Sequence, residues 1–263
     1  MRKGLLIVLL TLLCGAVLVF SYLTWQERLE EASAARPGVV EPESSEAGES
    51  VESPGEPAID SAKLAALAAN TDESVREVLQ ARLDAGEDAR LLVIGSAAIK
   101  PVADGLANAI HEAYEGFISV DAYVFDGTSQ QFVDGEIGKV DWARGYDVVL
   151  YEPFTLNNNG NVIIEDEHAH IAQVEERAME AVKDAAFLVT PPQPIPNANF
   201  YITQINSLKA YAEAQGIPYI DHWTKWPAVD SPELGDYLDA QGMPTQQGVD
   251  AWTSGLTGYF IAE

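Results

Sequence analysis

The chain is poor in cysteine and in basic residues. Its only cysteine is Cys14, which excludes an intrachain disulfide and a cysteine-based zinc site. Only 15 Lys and Arg oppose 41 Asp and Glu, so the formal charge is −26. A chain this acidic lacks the positive face that nucleic acid or anionic lipid requires, and we expect no nucleic acid among its partners. Its apolar fraction of 47% is nevertheless too high for a wholly disordered chain.

One long apolar run lies near the N-terminus. No charged residue occurs from Gly4 to Leu23, and Arg2 and Lys3 precede the run. Twenty helical residues span roughly 30 Å, the thickness of the hydrocarbon core of a bilayer. This charge pattern predicts a cytoplasmic N-terminus (1–3), a single transmembrane anchor (4–24) in the cell membrane and an extracellular remainder. A cleaved signal peptide is the alternative, although its apolar run is normally shorter and soon followed by a cleavage site.

Residues 25–60 are predicted to form an acidic, disordered stalk. Seven acids recur among Pro, Gly and Ser between 41 and 60, and no basic residue follows Arg36 in this segment. Such a composition buries too little apolar surface to offset chain entropy, and like charges extend it. Residues 61–263 carry the remaining 31 acids and 11 bases and have the length of one domain.

Strand and helix patterns alternate through residues 61–263. Strands are predicted at 90–94, 117–125, 147–151 and 186–189, with a short fifth strand at 218–220. Helical patterns lie at 61–85, 102–114, 171–184, 201–215 and 246–260. This alternation predicts a three-layer α/β/α domain of flavodoxin-like architecture with a five-stranded parallel sheet.

Ligand sites in open parallel sheets lie beyond the carboxyl ends of the strands. Four segments occupy that position here: 95–99, 126–129, 152–160 and 191–199. Three of them are rich in Gly, Ser, Thr and Asn, whose backbone N–H groups and side-chain amides can stabilise an oxyanion. Turns favour the same residue types for structural reasons, so it is the coincidence of three segments that indicates a site.

Three of these segments resemble sequence blocks of the SGNH (GDSL-type) hydrolases. Residues 92–96 resemble the first block, 125–129 the glycine block, and 152–160 the asparagine block found in anchored extracellular members from Gram-positive bacteria. Residues 219–227 and 243–252 look like the same subgroup, so the resemblance covers 90–260. It implies an extracellular esterase or acyl transferase that acts on a small-molecule or glycan ester of the cell envelope. We expect no cofactor and no metal.

The resemblance implies an oxyanion or substrate-binding site at Gly127 and Asn157, with Asn158 where the family usually has aspartate. The nucleophile and base positions depart from the family pattern. The expected serine is replaced by Ala97 and the expected histidine by Met243.

Two interpretations of this departure stay open. In the first, catalysis is rewired: Ser96, one residue from the family position, attacks, and His222, after the fifth strand, is the base. Asp239, also displaced by one residue, completes the candidate catalytic set. In the second, the domain is an inactive binding or scaffold module, and His222 packs beside Trp223 and Trp226.

A second polar cluster lies at 165–170, where acids alternate with His168 and His170. Carboxylates and imidazoles can ligate a metal. The acids can also be explained without a metal, because carboxylates are favourable near a helix N-terminus and this segment is predicted to begin a helix. The favoured interpretation is therefore a solvated helix start.

Overall fold

The structure is a computed structural model and describes residues 59–197 and 199–262. The predicted cytoplasmic N-terminus, the anchor and nearly all of the stalk lie outside the described residues. Within the described residues, no helix has the length and apolarity that crossing a bilayer requires.

Helices and strands alternate along the described chain, as the sequence predicts. The helices are α1 (Ser61–Leu67), α2 (Glu73–Ala85), α3 (Lys100–Ala113), α4 (Thr155–Asn158), α5 (Ile164–Ala181), α6 (Asn199–Gln215) and α7 (Gln246–Phe260). The strands are β1 (Ala89–Gly95), β2 (Ile118–Val124), β3 (Val148–Tyr151) and β4 (Ala186–Val189). Short helical turns follow β1 at Ala97–Ile99 and β2 at Ser129–Gln131.

The four strands form a parallel sheet in the order β2-β1-β3-β4. Where a fifth strand is expected, only an isolated parallel bridge joins Val189 to Tyr219. Pro191 and Pro192 lie two and three residues after the end of β4 and have no N–H to donate, so the pairing cannot continue along this edge. The prediction of the fold is confirmed, with the fifth strand reduced to a bridge.

The sheet has a hydrophobic core on each face. In β1, Leu91 and Val93 belong to a cluster with α3 and α7, whereas Leu92 and Ile94 belong to a cluster with α5 and α6. Alternate residues of a strand point to opposite faces, so a strand buried on both sides is apolar throughout. Helices therefore cover both faces, which gives the three layers.

At Gly255, helix α7 packs tightly against His222, which follows the isolated bridge. A Cβ atom on Gly255 would lie 2.6 Å from the Cβ and 2.8 Å from the Cα of His222. One turn earlier in α7, the indole of Trp252 stacks on the His222 ring at a centroid distance of 4.5 Å. The absence of a side chain at residue 255 is what allows this close contact.

We predict opposite effects for two alanine substitutions in α7. Gly255→Ala should destabilise the domain by about 1–3 kcal/mol, because overpacking displaces His222. Gly258→Ala, in the same helix, should stabilise it by about 0.5–1 kcal/mol, because nothing lies within 4 Å of its Cβ position and alanine favours helix. Urea unfolding of both variants measures the difference, and equal effects of the two changes would contradict the packing argument.

Candidate functional site

A pocket of about 640 Å³ opens at the carboxyl edge of the sheet. Its wall includes residues that follow each of the four strands, together with the loop that precedes α7. Those residues are 96–98 after β1, 126 after β2, 156 and 157 in α4, 193, 195 and 196 after β4, and 235 and 238–243 in the loop. The position agrees with the rule for open parallel sheets.

The segment after β1 supplies backbone donors to the pocket. Ser96 is in an extended conformation, with φ −69° and ψ 172°, and the chain then turns into the short helix Ala97–Ile99, which runs directly into α3. Among the described residues, the N–H groups of Ala97 and Ala98 have no hydrogen-bond acceptor. Unpaired amides at a helix start carry partial positive charge and suit a carbonyl oxygen or an oxyanion.

The glycine and asparagine segments meet directly. The Asn157 side chain donates from Nδ2 to the carbonyl oxygen of Gly127 at 3.0 Å. An amide NH₂ has two hydrogens, so one remains for a ligand in the pocket. A Cβ on Gly127 would lie 2.4 Å from a ring carbon of Phe125, so the Phe125 ring can pack here only because residue 127 has no side chain. Gly127 and Asn157 are thus neighbours, as their assignment to one site requires.

Glu152, the residue after β3, lies beneath the pocket and is fully buried. Its Oε2 accepts the Ser96 N–H at 2.7 Å and its Oε1 accepts the Phe154 N–H at 2.9 Å. Burial raises the pKa of Glu152, and hydrogen bonds from the Ser96 backbone and side chain and from the Phe154 N–H partly offset that rise. Glu152 is therefore a carboxyl group with raised proton affinity in contact with Ser96.

His222 is not brought to Ser96, which corrects its assignment as the base. Its Nε2 donates to the Pro191 carbonyl oxygen at 2.8 Å, and its Nδ1 accepts from Trp226 Nε1–H at 3.0 Å. Because an indole nitrogen only donates, this contact sets the tautomer. Burial lowers the pKa of His222 to about 3, so the ring is neutral. Both ring nitrogens are occupied, and the histidine holds the loop after β4 in place.

Asp239 lies on the pocket wall but has no histidine partner there. Its Oδ1 accepts the N–H groups of Gln241 and Met243, both at 2.9 Å, and this closes a turn. No histidine occurs among the described lining residues. Asp239 therefore shapes the loop that contains Met243.

Asn158 points away from the pocket into a buried polar network, which corrects its assignment to substrate binding. Its Nδ2 donates to Glu167 Oε2 at 2.6 Å, and its Oδ1 accepts the Ser129 N–H at 2.9 Å. The Ser129 hydroxyl in turn contacts His170 Nδ1 at 2.8 Å. These bonds tie α5 to α4 and to the segment after β2.

The acids at 165–167 form the first turn of α5, as the sequence predicts, but only part of this cluster is solvated. Glu167 and His170 are buried, whereas Glu165 and Asp166 are exposed. In residues 59–197 and 199–262, no group of three or more His, Cys, Asp or Glu side chains is arranged to hold a metal ion. The buried members of the cluster serve the network with Asn158.

Sequence reasoning missed Glu152 and Glu167 as buried polar residues. Glu152 is bonded in part by Ser96, 56 residues earlier in the chain, and Glu167 by Thr155 and Asn158 of the preceding helix. Neither set of donors belongs to a sequence pattern that shows the burial of the carboxyl group. The one available signal was the position of Glu152 directly after an apolar strand, at the edge where sites form.

No model of a known protein family and no curated protein matches the sequence. Solved structures do share its fold. A proposed acylhydrolase from Bacteroides fragilis NCTC 9343 is 15% identical, with a TM-score of 0.51 over 72% of this chain and 97% of its own. A proposed lipolytic protein of the G-D-S-L family from Desulfitobacterium hafniense DCB-2 is 15% identical, with a TM-score of 0.52 over 65% and 99%.

An acetylxylan esterase from Geobacillus stearothermophilus, in the form of a catalytic mutant, is 11% identical, with a TM-score of 0.54 over 65% of this chain and 94% of its own. At such identities the likeness concerns the fold alone. The described domain has the α/β fold of SGNH hydrolases, as its sequence predicts.

We predict that Glu167 makes stability depend on pH. Burial raises its pKa from 4.5 to about 7, with a smaller contribution from the charge of Glu152. The folded state favours the protonated form of Glu167. Its protonation therefore stabilises the fold fully below pH 4.5, and this contribution, about 3 kcal/mol of unfolding free energy, is lost as the pH rises through 7. Glu167→Gln stays neutral, and the Thr155 hydroxyl can reverse to accept from its amide, so this decline should disappear.

Urea unfolding at pH 4.5 and pH 8 measures the decline in the parent chain and in the variant. The exposed Glu176→Gln, which also removes one carboxylate, should behave like the parent. A pH dependence that is the same in all three chains would refute the assignment.

Proposed function

We propose that the chain is an SGNH-type esterase or acyl transferase of the cell surface that acts on an acylated glycan of the envelope. Residues 4–24 would anchor it in the membrane with the N-terminus inside and the domain outside. The apolar run and the acidic segment after it support this location. The substrate would be a glycan or small-molecule ester, and the chain would act without a cofactor.

The observation that carries the proposal is the convergence of donors beside a hydroxyl group. Ala97 and Asn157 belong to segments after different strands, and both lie on the wall of the pocket that Ser96 also lines. An amide N–H and a side-chain NH₂ on the wall of one pocket are suited to a carbonyl oxygen that gains negative charge. The fold likeness to an acetylxylan esterase agrees with this chemistry but is not the evidence for it.

In the proposed mechanism the Ser96 hydroxyl attacks the acyl carbon and its proton passes to the Glu152 carboxylate. The Ala97 N–H and Asn157 Nδ2 stabilise the oxyanion. The protonated Glu152 then returns the proton to the departing sugar oxygen, which leaves an acyl group on Ser96. Water or a second hydroxyl group then attacks the acyl carbon of the Ser96 ester. Glu152 takes the proton of the attacking group and returns it to the departing Ser96 oxygen. Burial strengthens Glu152 as a base because it raises the pKa.

An inactive binding module is the second candidate, and the state of His222 favours it. Both of its ring nitrogens are held by Pro191 and Trp226, so it is not available as a base. A serine without an effective base is a poor nucleophile. In this case the same donors would hold the acyl group of a glycan without cleaving it.

Hydrolysis of p-nitrophenyl acetate and of acetylated xylan or chitin oligomers by the full chain distinguishes the two. If the domain is an esterase, Ser96→Ala abolishes turnover, Glu152→Gln lowers it about 10²- to 10⁴-fold, and Asn157→Ala about 10²- to 10³-fold. The rate should also rise with pH as Glu152 ionises. Ser254→Ala, an exposed serine on α7, is the matched control and should leave turnover unchanged.

Turnover that is absent, or that persists in Ser96→Ala, rejects the esterase. The binding module then requires that the acetylated oligomers bind and that Asn157→Ala weakens this binding.

A further inference from the structure

The charged groups on the pocket wall are all acidic. Among the described lining residues only Asp126 and Asp239 are charged, and both are exposed. Within the described residues neither carboxylate forms an ion pair, so neither charge is neutralised. An anionic ligand would meet uncompensated like charge here, and the negative charge of the whole domain would repel it further.

A buried amide on the same wall lacks a partner. Gln193 is 3% exposed, and its Nε2 donates to the Gly242 carbonyl oxygen at 3.1 Å. This bond sets the orientation of the amide and leaves Oε1 as the acceptor, for which the described residues supply no donor. The Tyr201 hydroxyl holds the Gln193 backbone by donating to its carbonyl oxygen at 2.9 Å. A buried acceptor without a donor is unfavourable, so a donor from a ligand would be stabilising.

The donors and the acceptors of the pocket come from different segments of the chain. The unpaired amides of Ala97 and Ala98 and the Asn157 side chain come from the segments after β1 and β3. The acceptors are Gln193 Oε1 and the two carboxylates, which come from other segments. A complementary ligand has a carbonyl oxygen for the donors, and hydroxyl groups and a positive charge for the acceptors.

We infer that the ligand is a partly acylated amino sugar, with its acyl carbonyl at Ala97 and Asn157 and a protonated amine near Asp126. This inference rests on the proposed function, because it takes the acyl site from it and adds the class of glycan. A sugar hydroxyl group would supply the donor that Gln193 Oε1 lacks once a small movement of the side chain exposes this buried atom. The volume of about 640 Å³ is within the ordinary range of ligand pockets.

Isothermal titration of the full chain at pH 6 and low salt tests the inference with three tetrasaccharides. They are a glucosamine tetramer with two N-acetyl groups, the fully N-acetylated tetramer and tetragalacturonate. We expect the cationic tetramer to bind about fivefold tighter than the neutral one, as for one ion pair in a partly exposed site. Tetragalacturonate should not bind.

Asp126→Asn should remove the preference for the cationic tetramer and leave binding of the neutral one unchanged. Asp126 is suited to this test because its side chain makes no hydrogen bond with the described residues, whereas Asp239 holds a turn. Glu176→Gln on α5 changes the charge equally at an exposed position outside the pocket lining, and it should keep the preference.

Equal binding of the cationic and neutral tetramers, or a preference that survives Asp126→Asn, overturns the inference. The proposed function still holds in that case if Asn157→Ala weakens binding of the neutral tetramer. It fails as well if neither tetramer binds or if Asn157→Ala has no effect.

Discussion

The pocket depends on one buried carboxylate that joins two strand ends. Glu152, after β3, accepts the Ser96 N–H from the end of β1 and the Phe154 N–H from its own loop. No Lys or Arg in the described part of the chain forms an ion pair with it, so hydrogen bonds from Ser96 and from the Phe154 N–H, rather than a countercharge, offset its burial. Gly95 makes the approach possible, because a Cβ there would lie 2.8 Å from the Glu152 Cβ. The turn at Ser96, and with it the amides of the pocket, is positioned by this contact.

Much of the fold could be predicted from the sequence because buried parallel strands are continuous apolar runs, as at β1 and β4. The expected fifth strand failed because two prolines follow β4 and stop the pairing. Helix α5 begins at Ile164 rather than 171, because its acidic first turn lacks the apolar periodicity by which helices are recognised. The location of the site followed from topology alone, since the carboxyl ends of parallel strands lie at one edge.

The roles of single side chains could not be predicted in the same way. Asn157 and Asn158 are adjacent, yet successive helical residues point about 100° apart, so one lies on the pocket wall and the other enters the network of Glu167. His222 follows the sheet at a plausible place for a base, but its indole and carbonyl partners come from Trp226 and from Pro191, 31 residues earlier in the chain. Such pairings depend on tertiary contacts that neither spacing nor composition records.

The central claim is that amides from different strand ends act on one ligand atom. Titration of the ¹⁵N-labelled chain with the fully N-acetylated glucosamine tetramer, a neutral acyl ligand, tests it most directly by nuclear magnetic resonance. The account predicts that the backbone amide of Ala97 and the side-chain amide of Asn157 shift together with a single dissociation constant, while the amide of Glu176 stays in place. Shifts of only one of the two, or of neither at the highest concentration of the tetramer, would contradict it.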